Sequence, residues 1–172
     1  LDTVIQRFKD DKFICGPSGG EIGIVLLGGM TRGFMALMDH PQVVKAATAY
    51  LVQQQTQADD VLIHPDSDAV LWGADFGYKS GPFISPAMFR EFFFEANRVR
   101  VQSIHRRHGK KVMKHCCGNV ASLLDMFVEI GYDAYQSIQP TAGMDICQIK
   151  KSHGDQIALW GGVAVEHIVG GT

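Results

Sequence analysis

The order of apolar segments constrains the fold of this chain more than any other feature of the sequence. Short, continuously apolar runs, typical of strands buried on both faces, alternate with longer stretches of helical periodicity. Glycine, proline or polar residues separate each run from the helix that follows. Strict β–α alternation indicates a parallel sheet with helical crossovers. The predicted strands cover residues 12–15, 69–73, 111–116, 134–137 and 157–160.

The predicted helices have recognisable ends. Ser85 and Pro86 occupy the cap and first helical position of a long helix, and Gly109 ends it. The arginines that lie off its apolar stripe are predicted to face solvent, and they are Arg98, Arg100, Arg106 and Arg107. The polar run 53–57 is likewise predicted to be a solvated part of a helix. Further helices are predicted over residues 2–11, 21–27, 32–39, 41–64, 120–130 and 145–153.

Two architectures accommodate this alternation, an open doubly wound sheet and a (β/α)8 barrel. A complete barrel takes eight βα units and roughly 250 residues, whereas this chain of 172 residues has five units. The chain begins with Leu1 rather than Met, and it stops just as a new helical pattern begins at Val165. We therefore expect an α/β fold, an incomplete (β/α)8 TIM barrel, in which residues 1–172 form one domain truncated at both ends.

Composition excludes several classes of protein. Sixteen basic residues against eighteen acidic ones give a net charge of −2, which predicts neither a nucleic-acid groove nor a polybasic membrane patch. The longest apolar runs are too short to cross a bilayer, and no signal-peptide pattern opens the chain. The four cysteines, two of them adjacent, do not have the spacing of a secreted disulfide framework. We therefore expect a cytoplasmic protein.

The predicted strand with the most distinctive chemistry reads VMKHCCGN over residues 112–119. Because side chains alternate along a strand, His115 and Cys117 are predicted to point to one side, and Cys116 to the helix layer. An imidazole and a thiolate on one face are typical zinc ligands. Two ligands do not make a zinc site, however. A buried structural cysteine beside a hydrogen-bonded histidine is the alternative interpretation.

In both architectures, ligands bind beyond the carboxyl ends of the strands. Polar, glycine or metal-capable residues stand at each of these predicted ends. They are Cys15 with Gly16, Asp75, His115 with Cys117, Ser137 with Gln139, and Trp160 with Gly161 and Gly162. Asp75 has two interpretations, a carboxylate that supports a metal ligand or substrate, and an aspartate that only fixes its own loop.

Four segments resemble motifs of the uroporphyrinogen decarboxylase superfamily. Residues 81–92, GPFISPAMFREF, resemble its GPxISPxxFRxF segment, and residues 111–119, KVMKHCCGN, resemble its KVxxHxCGN strand. Residues 159–163, LWGGV, resemble its xWGGI strand, and residues 40–44, HPQVV, resemble the start of its xPExV helix. The resemblance covers roughly residues 12–172. It implies a (β/α)8 barrel whose N-terminal portion and last strands lie outside this chain.

The superfamily contains at least two chemistries. Its corrinoid-linked methyltransferases hold zinc through His-x-Cys and a later Cys, and His115 with Cys117 match the first two ligands. The resemblance implies that the third protein ligand lies beyond Thr172. Its decarboxylases need no cofactor and carry a tyrosine where this chain has Ile24, a departure that argues against authentic decarboxylation. Decarboxylation of uroporphyrinogen III to coproporphyrinogen III stays the alternative, and a non-catalytic barrel fragment the second alternative.

The resemblance therefore implies zinc-dependent methyl transfer between a corrinoid co-substrate and a thiol or similar acceptor. Zinc is suited to this chemistry because it lowers the pKa of an acceptor thiol. Asp75, His115 and Cys117 are the predicted catalytic residues, with His115 and Cys117 as metal ligands. The predicted substrate-binding residues are Gly16, Gln139, Trp160 and Gly161. The expected partners are a small-molecule or corrinoid-protein substrate and a second copy in a homodimer, with no nucleic acid and no membrane.

Overall fold

The computed structural model describes residues 1–24 and 30–170. Its main sheet has five strands, and every neighbouring pair is parallel. The strands follow one another in sequence order, as in a (β/α) barrel and unlike a doubly wound sheet, where the order reverses. This confirms the predicted incomplete barrel. The strands are β1 (Cys15–Gly16), β2 (Ala69–Trp72), β5 (Lys111–Cys116), β6 (Ala134–Ser137) and β7 (Ala158–Gly161), and a small antiparallel hairpin comprises β3 (Gly77–Tyr78) and β4 (Gly81–Pro82).

The described helices are α1 (Asp2–Phe8), α2 (Met30–Asp39), α3 (Pro41–Leu62), α4 (Pro86–Phe89), α5 (Glu95–His108), α6 (Leu124–Ile130), α7 (Ile146–His153) and α8 (Val165–Val169). Helices α2 to α7 lie between strands of the main sheet, while α1 precedes β1 and α8 follows β7. A π-helical turn, Arg90–Phe94, joins α4 to α5, so the predicted long helix is continuous. Ser85 accepts a hydrogen bond from the Met88 amide at 3.2 Å, and Gly109 ends the helix in a left-handed conformation, both as predicted. No helix in these described ranges is long and apolar enough to cross a bilayer.

The core lies between the main sheet and the helices. Aromatic rings form its centre, with Phe76 packed edge-on against Phe89 at 4.9 Å between centroids. Trp72, Lys114 and Tyr135 are neighbours in strand register and are buried on this side. Leu71 points to the other face of the sheet and is 42% exposed. In a closed barrel that second face lines the interior.

The prediction of a helix that begins at Glu21 is wrong, as the segment Gly19–Ile22 shows. Residues 21–24 are not helical, and the rest of the predicted helix over residues 21–27 lies outside the described residues. Side chains from α3 and α5 satisfy the backbone of this segment instead of an internal helical ladder. Asp59 accepts from the Gly19 amide at 2.8 Å, and Asn97 bonds both the amide and the carbonyl of Ile22 at 2.9 Å. A non-helical segment thus packs against α3 and α5.

Arg100 also departs from its prediction. Its side chain is fully buried rather than solvated, and it forms a two-pronged ion pair with Asp59, which is equally buried. The guanidinium also donates to the Gly20 carbonyl at 3.1 Å and lies over the Trp72 ring. Gln55, from the polar run predicted to be solvated, is partly buried and donates to the Glu21 carbonyl at 3.3 Å. Both polar side chains therefore hold the segment Gly19–Ile22.

The remaining differences concern the ends of elements. The first strand is Cys15–Gly16 rather than residues 12–15, because the Ile14 amide bonds to the Asp68 carboxylate at 2.7 Å rather than to a neighbouring strand. The predicted helix over residues 120–130 begins as a tight 3₁₀ turn, Ala121–Leu123, and continues as α6. Neither shift moves a strand from one face of the sheet to the other.

Candidate active site at the carboxyl end of the sheet

Three side chains that can bind a metal converge at the carboxyl ends of β2 and β5. The ligand atoms of Asp75, His115 and Cys117 all lie within 4.8 Å of one another. The Cys117 Sγ is 3.4 Å from the His115 Nε2, which is 3.7 Å from the Asp75 Oδ1. His115 and Cys117 share one side of the chain, as the alternation of side chains along β5 predicts. Asp75 follows β2, whereas His115 and Cys117 lie at the end of β5, about forty positions later in the sequence. The parallel pairing of β2 with β5 brings them together.

The imidazole of His115 is held in one orientation by Gln136. Its Nδ1 forms a short hydrogen bond with the Gln136 Oε1, and the two residues are direct partners in the register of β5 and β6. An amide oxygen only accepts, so Nδ1 carries a proton, and in the neutral ring Nε2 then presents its lone pair to Cys117 and Asp75. Metal-binding histidines are usually fixed through their other ring nitrogen in this way.

Asp75 contacts the backbone as well as the cluster. Its Oδ1 accepts a hydrogen bond from the Cys117 amide at 2.8 Å while facing the His115 ring. The two interpretations of Asp75 are therefore compatible in geometry. The carboxylate fixes the loop after β5, and it also lies where a metal ligand or a supporting acceptor would lie.

Two glycines allow the β3–β4 hairpin to approach the turn after Cys117. A Cβ on Gly77 would lie 2.4 Å from the Cys117 carbonyl oxygen. Gly118 has a φ of +80°, and a Cβ on it would lie 2.4 Å from the Gly77 carbonyl carbon. The Asn119 amide completes the contact by donating to the Tyr78 carbonyl at 2.7 Å. Only glycine permits so close an approach between the hairpin and the turn after Cys117.

Cys116 has a different environment from its neighbour. Its side chain is fully buried on the helix side of the sheet, as predicted, and its sulfur accepts a hydrogen bond from the Phe76 amide at 3.1 Å. Burial raises the pKa of the Cys116 thiol to about 11. Cys116 is therefore a packing residue, whereas Cys117 faces the cluster.

An open cavity of about 330 Å³ lies beside Cys117. Gln139, a predicted substrate-binding residue, lines it and accepts from the Gly118 amide at 3.0 Å. Its amide nitrogen donates to the Thr141 hydroxyl at 3.1 Å. The lining residues are Gly77, Tyr78, Lys79, Cys117, Gly118, Gln139, Thr141 and Glu166. This mixed polar lining places both donors and acceptors within reach of a small molecule next to the cluster.

The other predicted substrate-binding residues lie at varying distances from the cluster. Trp160 is the register partner of Gln136, so it shares the row of His115 and is half exposed. Gly161, at φ +127°, makes a close backbone contact, since a Cβ there would lie 2.2 Å from the Ser137 carbonyl oxygen. Gly16 lies opposite Val70 and is not brought into the cluster. Their roles in substrate binding stay predictions.

The sequence-based interpretation missed the residues that support the cluster from neighbouring elements. Gln136 could have been found by aligning β6 with β5, since a polar residue inside a buried strand is unusual. Glu21 and Lys114, which form a buried ion pair at 2.7 Å behind the site, gave no local signal. Lys114 lies on the strand itself, where a lysine usually indicates an exposed position.

One of three comparisons with known proteins, the match to a family sequence model, agrees with the motifs. A structure of a methyltransferase from Methanosarcina mazei is similar to 76% of this chain at 16% identity and a TM-score of 0.47. The chain spans 37% of the length of that methyltransferase. A search of curated proteins gives no match. The sequence model of the family described as uroporphyrinogen decarboxylase (URO-D) matches residues 24–172, and this chain therefore belongs to the uroporphyrinogen decarboxylase family.

Proposed function

We propose that this chain carries the active site of a zinc-dependent methyltransferase of the family, which moves a methyl group between a corrinoid and a thiol or similar acceptor. One observation carries the proposal: Asp75, His115 and Cys117 converge with their ligand atoms within 4.8 Å of one another. A decarboxylase that works without a cofactor has no need of such a donor set.

The donor set fits zinc. Imidazole nitrogen, thiolate sulfur and carboxylate oxygen are its usual protein ligands, and catalytic zinc sites keep three protein ligands and one open position. Asp75 offers a third donor within this chain, in addition to the later cysteine that the motif resemblance implies. Zinc bound here would lower the pKa of an acceptor thiol and hold it as a thiolate, ready to take a methyl group.

The residues of the chain have separate tasks in this proposal. Gln136 fixes the tautomer of His115, so that the Nε2 lone pair faces the cluster. The Asp75 carboxylate accepts a hydrogen bond from the backbone amide of Cys117 and thereby limits the positions of the Cys117 thiol. Gln139 lies in the cavity beside Cys117, where its amide can orient the acceptor. Preorganisation of this kind removes the cost of ordering ligands when metal or substrate binds.

The wider setting of the activity also belongs to the proposal. The methyl donor would be a free corrinoid or a corrinoid protein, docked at the carboxyl end of the sheet where ligands of barrel enzymes bind. We expect the protein to work in the cytoplasm, with one barrel domain contributed by residues 1–172 and with a homodimer as the candidate assembly.

Metal analysis combined with a demethylation assay tests the proposal. A full-length version of the protein is expected to hold about one zinc per chain and to change the visible spectrum of methylcobalamin when a thiol acceptor is added, whereas residues 1–172 alone are expected to hold zinc more weakly. A matched assay supplies uroporphyrinogen III and measures coproporphyrinogen III. Decarboxylation without bound zinc would replace the proposal by its alternative, and a protein without either activity or metal would support the non-catalytic interpretation.

A further inference from the structure

A buried ion pair lies directly behind the candidate site, on the helix side of the sheet. The Lys114 Nζ is 2.7 Å from the Glu21 Oε2, and the two side chains are 0% and 2% exposed. Lys114 precedes His115 on β5 and points to the opposite face of the sheet. Phe76 and Phe127 place their rings against the ammonium group, with centroids 5.2 and 5.7 Å from it. The pair is thus sealed from solvent.

Both members of the pair bond to one residue of the loop after β2. Glu21 Oε2 accepts from the Ala74 amide at 3.0 Å, and the Lys114 ammonium donates to the Ala74 carbonyl in a short hydrogen bond. Both backbone polar groups of Ala74 are therefore bonded to a buried charge. The next residue is Asp75, whose carboxylate accepts from the Cys117 amide and faces His115.

Glu21 itself is fixed from several directions. The Tyr132 hydroxyl donates to its other carboxylate oxygen at 2.7 Å. The flanking backbone is held by Asp59, Arg100 and Asn97 in the segment Gly19–Ile22. A Cβ on Gly23 would lie 2.9 Å from the Ala74 Cβ, so the two loops also touch directly. Together these contacts hold the carboxylate of Glu21 in a single position.

Stability alone does not account for such a pair. Burying two charges costs desolvation that their attraction seldom exceeds, and apolar residues of similar size often serve stability as well or better. The backbone of a loop near the surface can also bond to water. The pair does supply directional bonds to Ala74, which apolar residues could not supply.

From this geometry we infer that Glu21 and Lys114 are positioning residues, which fix Ala74 so that the Asp75 carboxylate stays against the Cys117 amide and opposite His115. The effect on metal binding rests on the proposed function, whereas the effect on the Asp75–Cys117 contact does not. The inference requires that weakening the pair loosens this contact before any metal is present.

The test uses the double variant Glu21→Leu/Lys114→Met, which removes both charges and leaves neither one unpaired. Hydrogen exchange of the Cys117 amide in metal-free protein is expected to become about tenfold faster, the equivalent of one weakened charge-assisted hydrogen bond. Affinity for Co²⁺, used as a spectroscopic probe in place of zinc, is expected to fall at least about tenfold, since losing support of a metal ligand costs 10–100-fold.

Ile104→Ala is the matched control, because Ile104 is fully buried in the same helix layer and lies outside the polar contacts of the pair. It is expected to lower the thermal midpoint while leaving Cys117 exchange and Co²⁺ affinity unchanged. Tyr132→Phe removes only the hydrogen bond to Glu21, and it is expected to shift Cys117 exchange in the same direction by a smaller factor. This variant decides the question if the double variant does not fold.

The outcomes separate the two proposals. Unchanged Cys117 exchange in the folded double variant, or in Tyr132→Phe where the double variant fails to fold, would overturn the positioning inference. Faster exchange in a protein that binds neither Zn²⁺ nor Co²⁺ would uphold positioning and remove the support for the proposed function. Faster exchange with weaker Co²⁺ binding, and neither effect in Ile104→Ala, would support both.

Discussion

The two ends of the parallel sheet use the same local contact in different surroundings. At the amino end, Asp68 accepts from the Ile14 amide at 2.7 Å and Asp133 from the Val112 amide at 2.8 Å. At the carboxyl end, Asp75 accepts from the Cys117 amide at 2.8 Å. Each aspartate thereby ties the start or end of its own strand to the chain of a neighbouring strand.

The difference lies in what else each carboxylate faces. Lys9 pairs with Asp68, while Lys111 and His105 lie 2.9 and 2.7 Å from Asp133. Within residues 1–24 and 30–170, Asp75 has no lysine or arginine partner, and its neighbours are His115 and Cys117. The amino end thus satisfies its carboxylates with cations of the protein. At the carboxyl end, Asp75 lacks such a partner among the described residues, and in the proposed function a metal ion would take that place, in keeping with the division between stability and chemistry in (β/α) barrels.

The largest expected effect sharpens this contrast at the carboxyl end. Cys117→Ala removes a donor of the cluster and is expected to lower zinc affinity by at least about 100-fold, more than the loss of a supporting residue costs, and to abolish methyl transfer. Cys116→Ala, one residue away, is expected to cost only packing because its thiol is buried on the other face. Metal analysis and methylcobalamin demethylation on both variants check this. Zinc and activity retained in Cys117→Ala would refute the methyltransferase proposal.

A smaller effect is expected from Gln136→Leu. The substitution removes the acceptor that fixes His115 Nδ1–H while preserving much of the side-chain volume, so the ring is free to turn or change tautomer. Zinc affinity is expected to fall about 10–100-fold. Gln156→Leu is the control, since Gln156 is exposed before β7 at the amino end of the sheet. Equal zinc affinities for the two variants, measured by competition with a chelating dye, would contradict the role given to Gln136.

The features that could be predicted from the sequence depend on short-range rules. Ser85 and Gly109 act through their own helix ends, and the shared side of His115 and Cys117 follows from alternation along one strand. The parallel pairing of the strands follows from β–α alternation, whereas their sequential order was expected from the barrel that the motif resemblance implies. These short-range rules predicted the parallel sheet and the centre of the candidate site.

The features that were missed depend on partners distant in sequence. Arg100 was predicted to be solvated, because its buried partner Asp59 is 41 positions away. The predicted helix over residues 21–27 fails at Glu21, because tertiary hydrogen bonds from other helices outweigh the local apolar pattern. Lys114 and Glu21 are 93 positions apart. Ion pairs between residues so distant in sequence can be identified only when the fold shows which strands and helices are adjacent.

At the amino end, Asp133→Asn tests the other half of the comparison. Asp133 accepts from Val112, Lys111 and His105, and replacing the carboxylate weakens these charge-assisted bonds. The free energy of unfolding is expected to fall by about 1–3 kcal/mol at pH 7, the usual cost of disrupting hydrogen bonds to a partly buried charged group. Urea denaturation measures this loss. Zinc affinity is expected to stay unchanged, and a clear change in it would mean that the two ends are not independent.

The smallest expected effect is a pH dependence that belongs to the amino end. Hydrogen bonds from Lys9 and from the Ile14 amide lower the pKa of Asp68. Burial opposes the shift at Asp133, but bonds from Lys111, Val112 and His105 outweigh it and lower that pKa as well. A carboxyl group whose folded pKa is depressed stabilises the protein above its unfolded pKa, about 4, and this stabilisation is lost as the pH falls through the folded value.

Unfolding free energies of the wild type are therefore expected to decline as the pH is lowered below about 4, and those of Asp68→Asn to decline less over the same range. Asp155→Asn is the control, because Asp155 is exposed on the turn between α7 and β7. Urea denaturation at pH values from neutral to acidic compares the three proteins. If Asp68→Asn lost stability in parallel with the wild type, its ion pair with Lys9 would contribute nothing in solution, as is common for exposed pairs. Of the two carboxylates at the amino end, only Asp133 would then stabilise the protein through its ion pairs.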